Sequence, residues 1–407
     1  MIKASTFIAT SSNALLRYLA ARTPNPSRNN ALFCLSANSD NLVGLTARLG
    51  EFGRETAGCI SSSLPHLEGR VICSLLEIPT GISAPFLSHI PGHPDIQVGR
   101  YHGMHTHRNK AVDHVSEEKM ERILMNDGDW TNFGADSNTH TIPSGLDKSQ
   151  EYETILFFSD RFPEGLNASL DHYFPRTLKM GLIGSSTPFV TGRPVTLLQN
   201  SSVLSEGAVG FAVRAPFSIP RERFQGLEPI SDVLVVTESQ SNLIHTLNNK
   251  NPSQLLVQAI NSSSISSRVP LLSLKDEEYY LAVLDTKGES IDKLFTILSG
   301  DPSRGSLALN ARSSPPVGAC IQLLRRARSL DPSDPLNRIP KQSHSITFIT
   351  SPSDVPLSSL KDIDGEEGIT LGNRFVASSE NGYLLGGPQP IWHTSVEGAS
   401  VTSSWTQ

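Results

Sequence analysis

The sequence predicts an α/β (α+β) protein of two lobes, with mixed sheets, outer helices and a C-terminal lobe that is mostly β. Three observations support this fold class. The chain has 407 residues, which is more than one hydrophobic core usually serves. Its apolar segments have the length of strands or short helices. One strand–helix–strand pattern occurs twice in the N-terminal half, so we expect duplicated β-α-β units in that lobe.

The chain is expected to open with a strand and a helix. The strand is predicted at Thr6–Thr10, with Ser11 or Ser12 as the N-cap of a helix that ends before Pro24. Residues 1–39 also contain four Lys or Arg and no Asp or Glu, which is typical of a mitochondrial presequence. We prefer the folded interpretation, because the next strand needs a neighbour. The presequence stays the alternative.

The repeat joins residues 31–63 to residues 154–186 at a constant offset of 123. Each copy predicts a strand, a polar turn, a helix and a second strand. The second strands end in the small-residue segments Gly58–Ser63 and Gly181–Ser186. We interpret this shared order of elements as a duplication.

The chain divides by composition into three parts. Residues 1–220 are predicted as the N-terminal domain, with a His-, Gly- and Pro-rich surface insertion at 80–150. Residues 221–330 are predicted as the C-terminal domain, and residues 331–407 as a divergent extension packed on that domain.

Further elements follow from the local patterns. A β-hairpin is predicted from Pro194–Leu198 and Val209–Val213, on either side of a Ser/Asn/Gly turn. One helix is expected at Pro252–Ile260. The strands predicted in the C-terminal part are Val233–Glu238, Leu243–Leu247, Tyr279–Leu284, Leu294–Leu298, Ser306–Leu309, Gly318–Leu324 and Ser345–Thr350.

Composition excludes several classes of function. The net charge of −6 comes without a basic stripe, so we expect no nucleic-acid partner. No apolar run reaches the roughly 18 residues that cross a bilayer, so we expect a soluble protein with no membrane partner. The cysteines form no C-x-x-C pair and are predicted as reduced core thiols of an intracellular protein, in the mitochondrion or the cytoplasm. They are Cys34, Cys59, Cys73 and Cys320.

These segments, in this order, resemble the N-terminal and C-terminal FIST domains (F-box and intracellular signal transduction) of prokaryotic sensory proteins and of some eukaryotic F-box proteins. The resemblance covers Thr6 to about Arg328 and excludes the insertion and the tail. The segments that carry it are Phe33–Ser36, Gly181–Ser186, Gly207–Val213, Asn251–Ile260, Ser306–Leu309 and Pro316–Leu324.

This resemblance implies a small-ligand sensory module with no catalytic residue to carry over. No F-box is recognisable, so a ubiquitin-ligase adaptor role is not implied. The expected ligand is an amino acid or a related metabolite, and no cofactor is expected. The alternative is a protein-interaction scaffold that uses the insertion and the tail, with a partner protein as its ligand.

The predicted ligand site lies at the Gly/Ser strand ends, where backbone N–H groups can approach an anion or a carboxylate. The structural alternative is that these residues only form turns. The predicted residues are Gly181, Gly184, Ser185, Ser186, Gly58, Cys59 and Ser61.

Two other patterns are weak indications of a metal-binding site. His102, His105 and His107 could ligate a transition metal, but no spacing fixes the geometry, and we favour a solvated basic loop. The acidic run Asp362–Gly368 lacks the later ligands of a calcium loop. No metal site is therefore predicted. A metal- or thiol-dependent hydrolase using Cys59 is the least favoured function, since no G-x-S-x-G motif occurs.

Overall fold

The structure is a computed structural model that describes residues 1–65, 67, 69–92, 141–262, 278–285, 291–300, 305–311, 314–326, 339–352 and 368–406. The predicted His cluster and residues 362–367 of the acidic run lie outside these ranges. The helices are α1 (Ser12–Ala20), α2 (Leu42–Gly50), α3 (Glu164–Tyr173), α4 (Pro188–Thr191) and α5 (Pro252–Ser262), with a 3₁₀ turn at Thr80–Ile82.

The strands of the N-terminal half are β1 (Lys3–Ala9), β2 (Asn29–Ser36), β3 (Thr56–Ser61), β4 (Val71–Pro79), β5 (Ser83–Ser88), β6 (Thr154–Ser159), β7 (Leu178–Ile183), β8 (Ser186–Thr187), β9 (Arg193–Val195), β10 (Leu197–Gln199), β11 (Ser202–Leu204) and β12 (Ala208–Val213). Those of the C-terminal half are β13 (Arg221–Phe224), β14 (Leu227–Pro229), β15 (Leu234–Gln240), β16 (Leu243–Leu247), β17 (Tyr279–Leu284), β18 (Ile291–Gly300), β19 (Leu307–Leu309), β20 (Cys320–Arg326), β21 (Ser345–Thr350), β22 (Gly368–Gly372), β23 (Arg374–Ser379), β24 (Tyr383–Gly386), β25 (Trp392–Thr394) and β26 (Ala399–Ser404).

The first sheet contains the N-terminal strand and helix. Within the described residues its strand order is β11-β10-β3-β2-β4-β1-β22. The side chain of Ser11 accepts a hydrogen bond from the Ala14 N–H at 3.2 Å and so caps α1. The first strand does not lie beside β2, as its position in the sequence suggests, because β4 pairs with both. Residues 3–20 are thus built into the fold.

The second sheet has the order β25-β24-β7-β6-β12-β5 in the described residues. Both predicted β-α-β units are present, with β2 parallel to β3 and β6 parallel to β7. The predicted hairpin is wrong. Strand β10 pairs with β11 and β3, whereas β12 pairs with β5 and β6, because each strand completes a different sheet.

The tail differs from its expected position. In the third sheet, ordered β13-β26-β21-β23, the strands β21 and β23 are parallel. The neighbouring strand β22 pairs with β1 of the first sheet, and β24 pairs with β7 of the second. The tail therefore adds to the N-terminal sheets instead of packing only on the C-terminal domain. Without these strands, β1 and β7 would be open edges.

The C-terminal lobe is mostly β, as predicted. In the described part of this lobe, β15, β16, β19, β18, β17 and β20 pair in that order, and β20 pairs again with β15, which closes a barrel. Helix α5 packs Leu256 and Ala259 into the same apolar cluster as the barrel strands.

Side chains alternate between two buried faces in the central strands. Leu156 and Phe158 enter a core shared by all three sheets and the barrel, whereas Phe157 packs with α3 on the other face. Helices α1 and α2 cover the outer face of the first sheet in the same way. No helix in the ranges that the structure describes is both long and apolar enough to cross a membrane.

A buried carboxyl–phenol pair joins the second and third sheets. The Tyr383 hydroxyl donates to Glu222 Oε1 at 2.8 Å, and the Tyr383 side chain is fully buried. Burial raises the pKa of Glu222 to about 8, and Asp292 adds to the rise, while the Tyr383 hydrogen bond and Lys293 oppose it. Glu222 is therefore mainly protonated at neutral pH.

We expect this pair to make stability depend on pH. Between the ordinary Glu pKa of 4.5 and about 8, the folded protein binds the Glu222 proton more tightly than the unfolded chain does. The free energy of unfolding should therefore fall as pH rises through this window. Glu222→Gln should remove this part of the slope in urea unfolding, whereas Glu238→Gln on the exposed barrel surface should keep it. If the free energy of unfolding depends on pH in the same way for the wild type and Glu222→Gln, the raised pKa of Glu222 is refuted.

Candidate functional site

Three parallel strand pairs end at one place. The second strand of each pair, β3, β7 or β23, is followed or ended by serines. The Oγ atoms of Ser62 and Ser185 lie 2.9 Å apart, and the Ser62 N–H donates to the Ser378 carbonyl at 2.9 Å. Ligands of α/β folds bind at the carboxyl ends of strands. We call this group the strand-end cluster, made of Ser62, Ser185, Ser186, Ser378, Ser379, Glu380 and Asn381.

Two glycines allow this close approach. A Cβ on Gly184 would lie 2.4 Å from Val195 Cγ1, so only glycine lets the chain pass there. Gly382 has a φ of +84°, and a Cβ on it would lie 2.0 Å from the Thr394 carbonyl oxygen. The turn at Gly382 connects β23 to β24 and keeps Glu380 beside the ends of the other strands.

Glu380 is the charged centre of the cluster. Its Oε2 accepts from the Ser62 hydroxyl and its Oε1 from the Ser186 N–H, each at 2.6 Å. Burial alone would raise the pKa of Glu380, but these hydrogen bonds outweigh it and lower the pKa below its ordinary value. The carboxylate is therefore ionised at neutral pH, and its charge is held by donors from two other strand ends.

The rim of the cluster carries further polar groups. Asn381 Nδ2 donates to the Gly184 carbonyl at 2.7 Å, and the exposed Arg161 guanidinium donates to Ser186 Oγ. The Asn381 carbonyl lies 2.7 Å from His393 Nε2, so this nitrogen carries the hydrogen. The arrangement can bind a small polar molecule through hydroxyl, amide and guanidinium groups. Among the described residues, no group of three or more His, Cys, Asp or Glu is placed to hold a metal ion.

The structure brings together some of the sequence-predicted site residues. Gly184, Ser185 and Ser186 follow β7 and belong to the junction of strand ends. Ser61 ends β3 but is only 4% exposed, and its carbonyl accepts from the Ala37 N–H at 2.9 Å. The neighbouring Ser62, and not Ser61, presents its hydroxyl to the cluster.

The other predicted residues lie inside strands. Gly58 and Gly181 each face a phenylalanine ring, since a Cβ would lie 2.5 Å from Phe33 or from Phe157. The buried Sγ of Cys59 lies 3.5 Å from Cys34 Sγ, and burial, followed by Cys59, raises the pKa of Cys34. These three positions contribute to packing below the strand ends.

Sequence reasoning missed five residues of the cluster and one at its rim: Ser62, Ser378, Ser379, Glu380, Asn381 and, at the rim, Arg161. Glu380 and Asn381 lie in the tail, which has no counterpart in the detected repeat. One signal was present, because Ser378-Ser379 ends an apolar strand just as the serines after β3 and β7 do. Comparing the ends of all buried strands, instead of only the duplicated ones, would have found it.

We expect Gly181→Ala to destabilise the second sheet. The new Cβ would meet Phe157 at 2.5 Å, and this ring is fully buried, so the core must shift. Overpacking of this kind costs about 1–3 kcal/mol in the free energy of unfolding. The matched control is Gly372→Ala in β22, where no heavy atom lies within 4 Å of the Cβ position. If Gly181→Ala and Gly372→Ala lower the free energy of unfolding in urea by the same amount, the contact with the Phe157 ring is not the cause.

Ser62→Ala should raise the pKa of Glu380 and lower stability at neutral pH. A hydrogen bond to a charged group contributes about 1.5–3 kcal/mol. Because the folded pKa of Glu380 is lowered, its contribution is present at neutral pH and is lost as pH falls below the ordinary value of 4.5. The difference in the free energy of unfolding between the wild type and Ser62→Ala should therefore become smaller as pH falls below that value. NMR titration of the Glu380 carboxyl tests this, with Ser63→Ala as the neighbouring control. An unchanged pKa would contradict it.

One comparison with known proteins gives a match. Residues 56–250 match the family model described as the FIST N domain. No significant match was found among curated proteins or among solved structures. The matched region starts at β3 and extends past β16, so it includes the strand ends at Ser62 and Ser185 and excludes Glu380. This part of the chain, somewhat less than half of it, is therefore similar to the FIST N domain.

Proposed function

We propose that this protein is a non-enzymatic FIST-type module that binds a small metabolite, such as an amino acid or a related compound, at the strand-end cluster. The observation that carries the proposal is the convergence of three parallel strand pairs on the half-buried Ser62, Ser186 and Glu380. Polar groups held by strand ends are already oriented, so a ligand pays little to order them.

The family match supports this proposal. FIST domains are sensory modules of signal transduction, and the matched region supplies the Ser62 and Ser186 ends of the cluster. The tail supplies Glu380 and Asn381. A ligand at the cluster would therefore contact two parts of the chain that are about 190 to 320 residues apart in sequence. The resemblance of residues 221–330 to a FIST C-terminal domain belongs to the same proposal.

A second candidate function is the protein-interaction scaffold. One observation favours it: Phe189 is fully exposed, and Phe162 and Val190 are each 46% exposed. The short helix α4 that carries Phe189 is held by Thr196, whose hydroxyl lies 2.7 Å from that of Thr187. Large exposed apolar side chains on a fixed turn suit a partner protein. A thiol hydrolase is the weaker proposal, because Cys59 is fully buried.

A thermal-shift screen against amino acids, small carboxylates and divalent metals tests the proposal. A ligand at 100 times its Kd should stabilise the folded state by about 2.7 kcal/mol. We expect a shift with a metabolite that Ser62→Ala loses and Ser63→Ala keeps. Gly184 is not a suitable test position, because any side chain there would strike Val195.

The other outcomes reject the metabolite proposal in different ways. A shift with a divalent metal alone, kept in Ser62→Ala, would point to the histidines of the insertion. A flat screen would favour the scaffold. In that case Phe189→Ser should weaken capture of a partner protein, while Ser62→Ala should not.

A further inference from the structure

The Glu380 carboxylate occupies the position of a ligand. Its Oε2 accepts a hydrogen bond of 2.6 Å from the Ser62 hydroxyl, and its Oε1 accepts one of 2.6 Å from the Ser186 N–H and a longer one of 3.3 Å from the neighbouring Asn381 Nδ2. We call the first two donors the Ser62–Ser186 donor pair. Both belong to the region that matches the FIST N domain, whereas the carboxylate comes from the tail outside it. The Ser62 distance is that of a charge-assisted O–H···O⁻ hydrogen bond, and the two donors meet the two oxygens of one carboxylate, so the pair suits a carboxylate.

We propose that the Ser62–Ser186 donor pair is a carboxylate-binding site that the chain fills with its own Glu380, and that a ligand carboxylate binds there by displacing this side chain. The inference rests on the proposed function and deepens it. It gives the ligand a chemical class, a small molecule with a free carboxylate, and it gives the site a means of regulation.

The exchange needs only a side-chain rotation. The main chain around Glu380 has contacts besides those of its carboxylate: the Asn381 N–H donates to Ser379 Oγ at 3.1 Å. Asn381 Nδ2 donates to the Gly184 carbonyl at 2.7 Å, a shorter contact than its 3.3 Å hydrogen bond to Glu380 Oε1. Glu380 is only half-buried, so its carboxylate can turn into solvent. The donors would pass from one carboxylate to another, which leaves no buried N–H or O–H without an acceptor.

An internal occupant also sets the affinity and the selectivity of the site. The apparent affinity of a ligand falls with the fraction of molecules in which the site is open. A bare carboxylate therefore competes poorly with Glu380, which is already tethered at high effective concentration. A ligand that also reaches the rim, where Arg161 donates to Ser186 Oγ, gains contacts that Glu380 lacks. The occupant thus selects for carboxylates that carry further polar groups.

Acetate binding to Glu380→Ala tests the donor pair. We expect its Kd for acetate, measured from the NMR shift of the Ser186 amide, to be at least about tenfold lower than that of the wild type, because the internal competitor is gone. Acetate should also raise the Tm of Glu380→Ala. Acetamide and chloride at equal concentration should do neither. The exposed Glu238→Ala removes the same charge elsewhere and should behave as the wild type.

Two further variants keep the test decisive. Glu380→Ala/Ser62→Ala should lose the gain in acetate affinity, since one donor is missing. If Glu380→Ala does not fold, Glu380→Gln keeps an acceptor oxygen without the charge and should bind acetate with an affinity above that of the wild type. If neither Glu380 variant binds acetate more tightly than the wild type and Glu238→Ala do, the inference is overturned.

Failure of the inference is distinguishable from failure of the proposed function. If wild-type protein binds a metabolite in a Ser62-dependent way but Glu380→Ala gains nothing for acetate, the metabolite site stands and the exchange with Glu380 is overturned. If Glu380→Ala gains acetate binding while the wild type responds to no metabolite, the donor pair is upheld and metabolite sensing is rejected.

Discussion

The pairing of the C-terminal tail with open edges of the N-terminal sheets is the interaction on which the rest of the structure depends. An edge strand presents a row of unpaired N–H and C=O groups that must be covered. Strand β22 covers β1, and β24 covers β7. Since these partners lie in two different sheets, the segment between them has to cross the gap. It does so as β23, which ends at Ser379, just before Glu380.

Side-chain contacts fix the crossing. The Thr6 hydroxyl donates to the Arg374 carbonyl at 3.0 Å and accepts from the Val376 N–H at 2.9 Å, which ties β23 to β1. On the other side, the fully buried Lys179 lies 3.0 Å from Asp171, whose second oxygen accepts from the Ile391 N–H at 2.8 Å. Burial lowers the pKa of Lys179 and Asp171 opposes this. Removing Asp171 would leave the buried Lys179 charge without its partner, which is strongly destabilising.

Local pattern predicted the elements better than their partners. The strands Leu243–Leu247, Tyr279–Leu284 and Ser345–Thr350 have the predicted bounds, because a short apolar run between turns defines its own limits. The pairing of β1 with β4, and of β24 with β7, depends on contacts between residues far apart in the chain, which no local signal encodes. The hairpin prediction failed for that reason: Val209–Val213 found two partners in another sheet.

The candidate site was only half visible in the sequence for the same physical reason. Small residues such as Gly184 and Ser185 indicate a strand end where a ligand can approach the backbone. The part of the site that lies in the repeat was therefore found. The charged half comes from Glu380, and a single glutamate in a divergent tail looks like any solvated side chain until the edge pairing places it. Gly58 and Gly181 were misleading for a different reason. A glycine in a strand can make room for a ligand or for a buried phenylalanine ring, and the sequence alone does not distinguish the two.

On the proposed function, the same constraint would let a ligand at the site act on the rest of the structure. Glu380 contributes two hydrogen bonds to the contact between the tail and the region that matches the FIST N domain. The pairing of β13 with β26 of the tail continues toward the barrel through β14. Arg326 of the barrel donates to the Glu397 carbonyl just before β26 at 3.3 Å. Any ligand that takes the place of the Glu380 carboxylate therefore removes a contact at one end of a connected set of strands. The ligand can shift the conformation of the barrel end only by the difference between its binding free energies for the two conformations. A carboxylate that only matched Glu380 would displace it in few molecules, so signalling would require the additional rim contacts that also give selectivity.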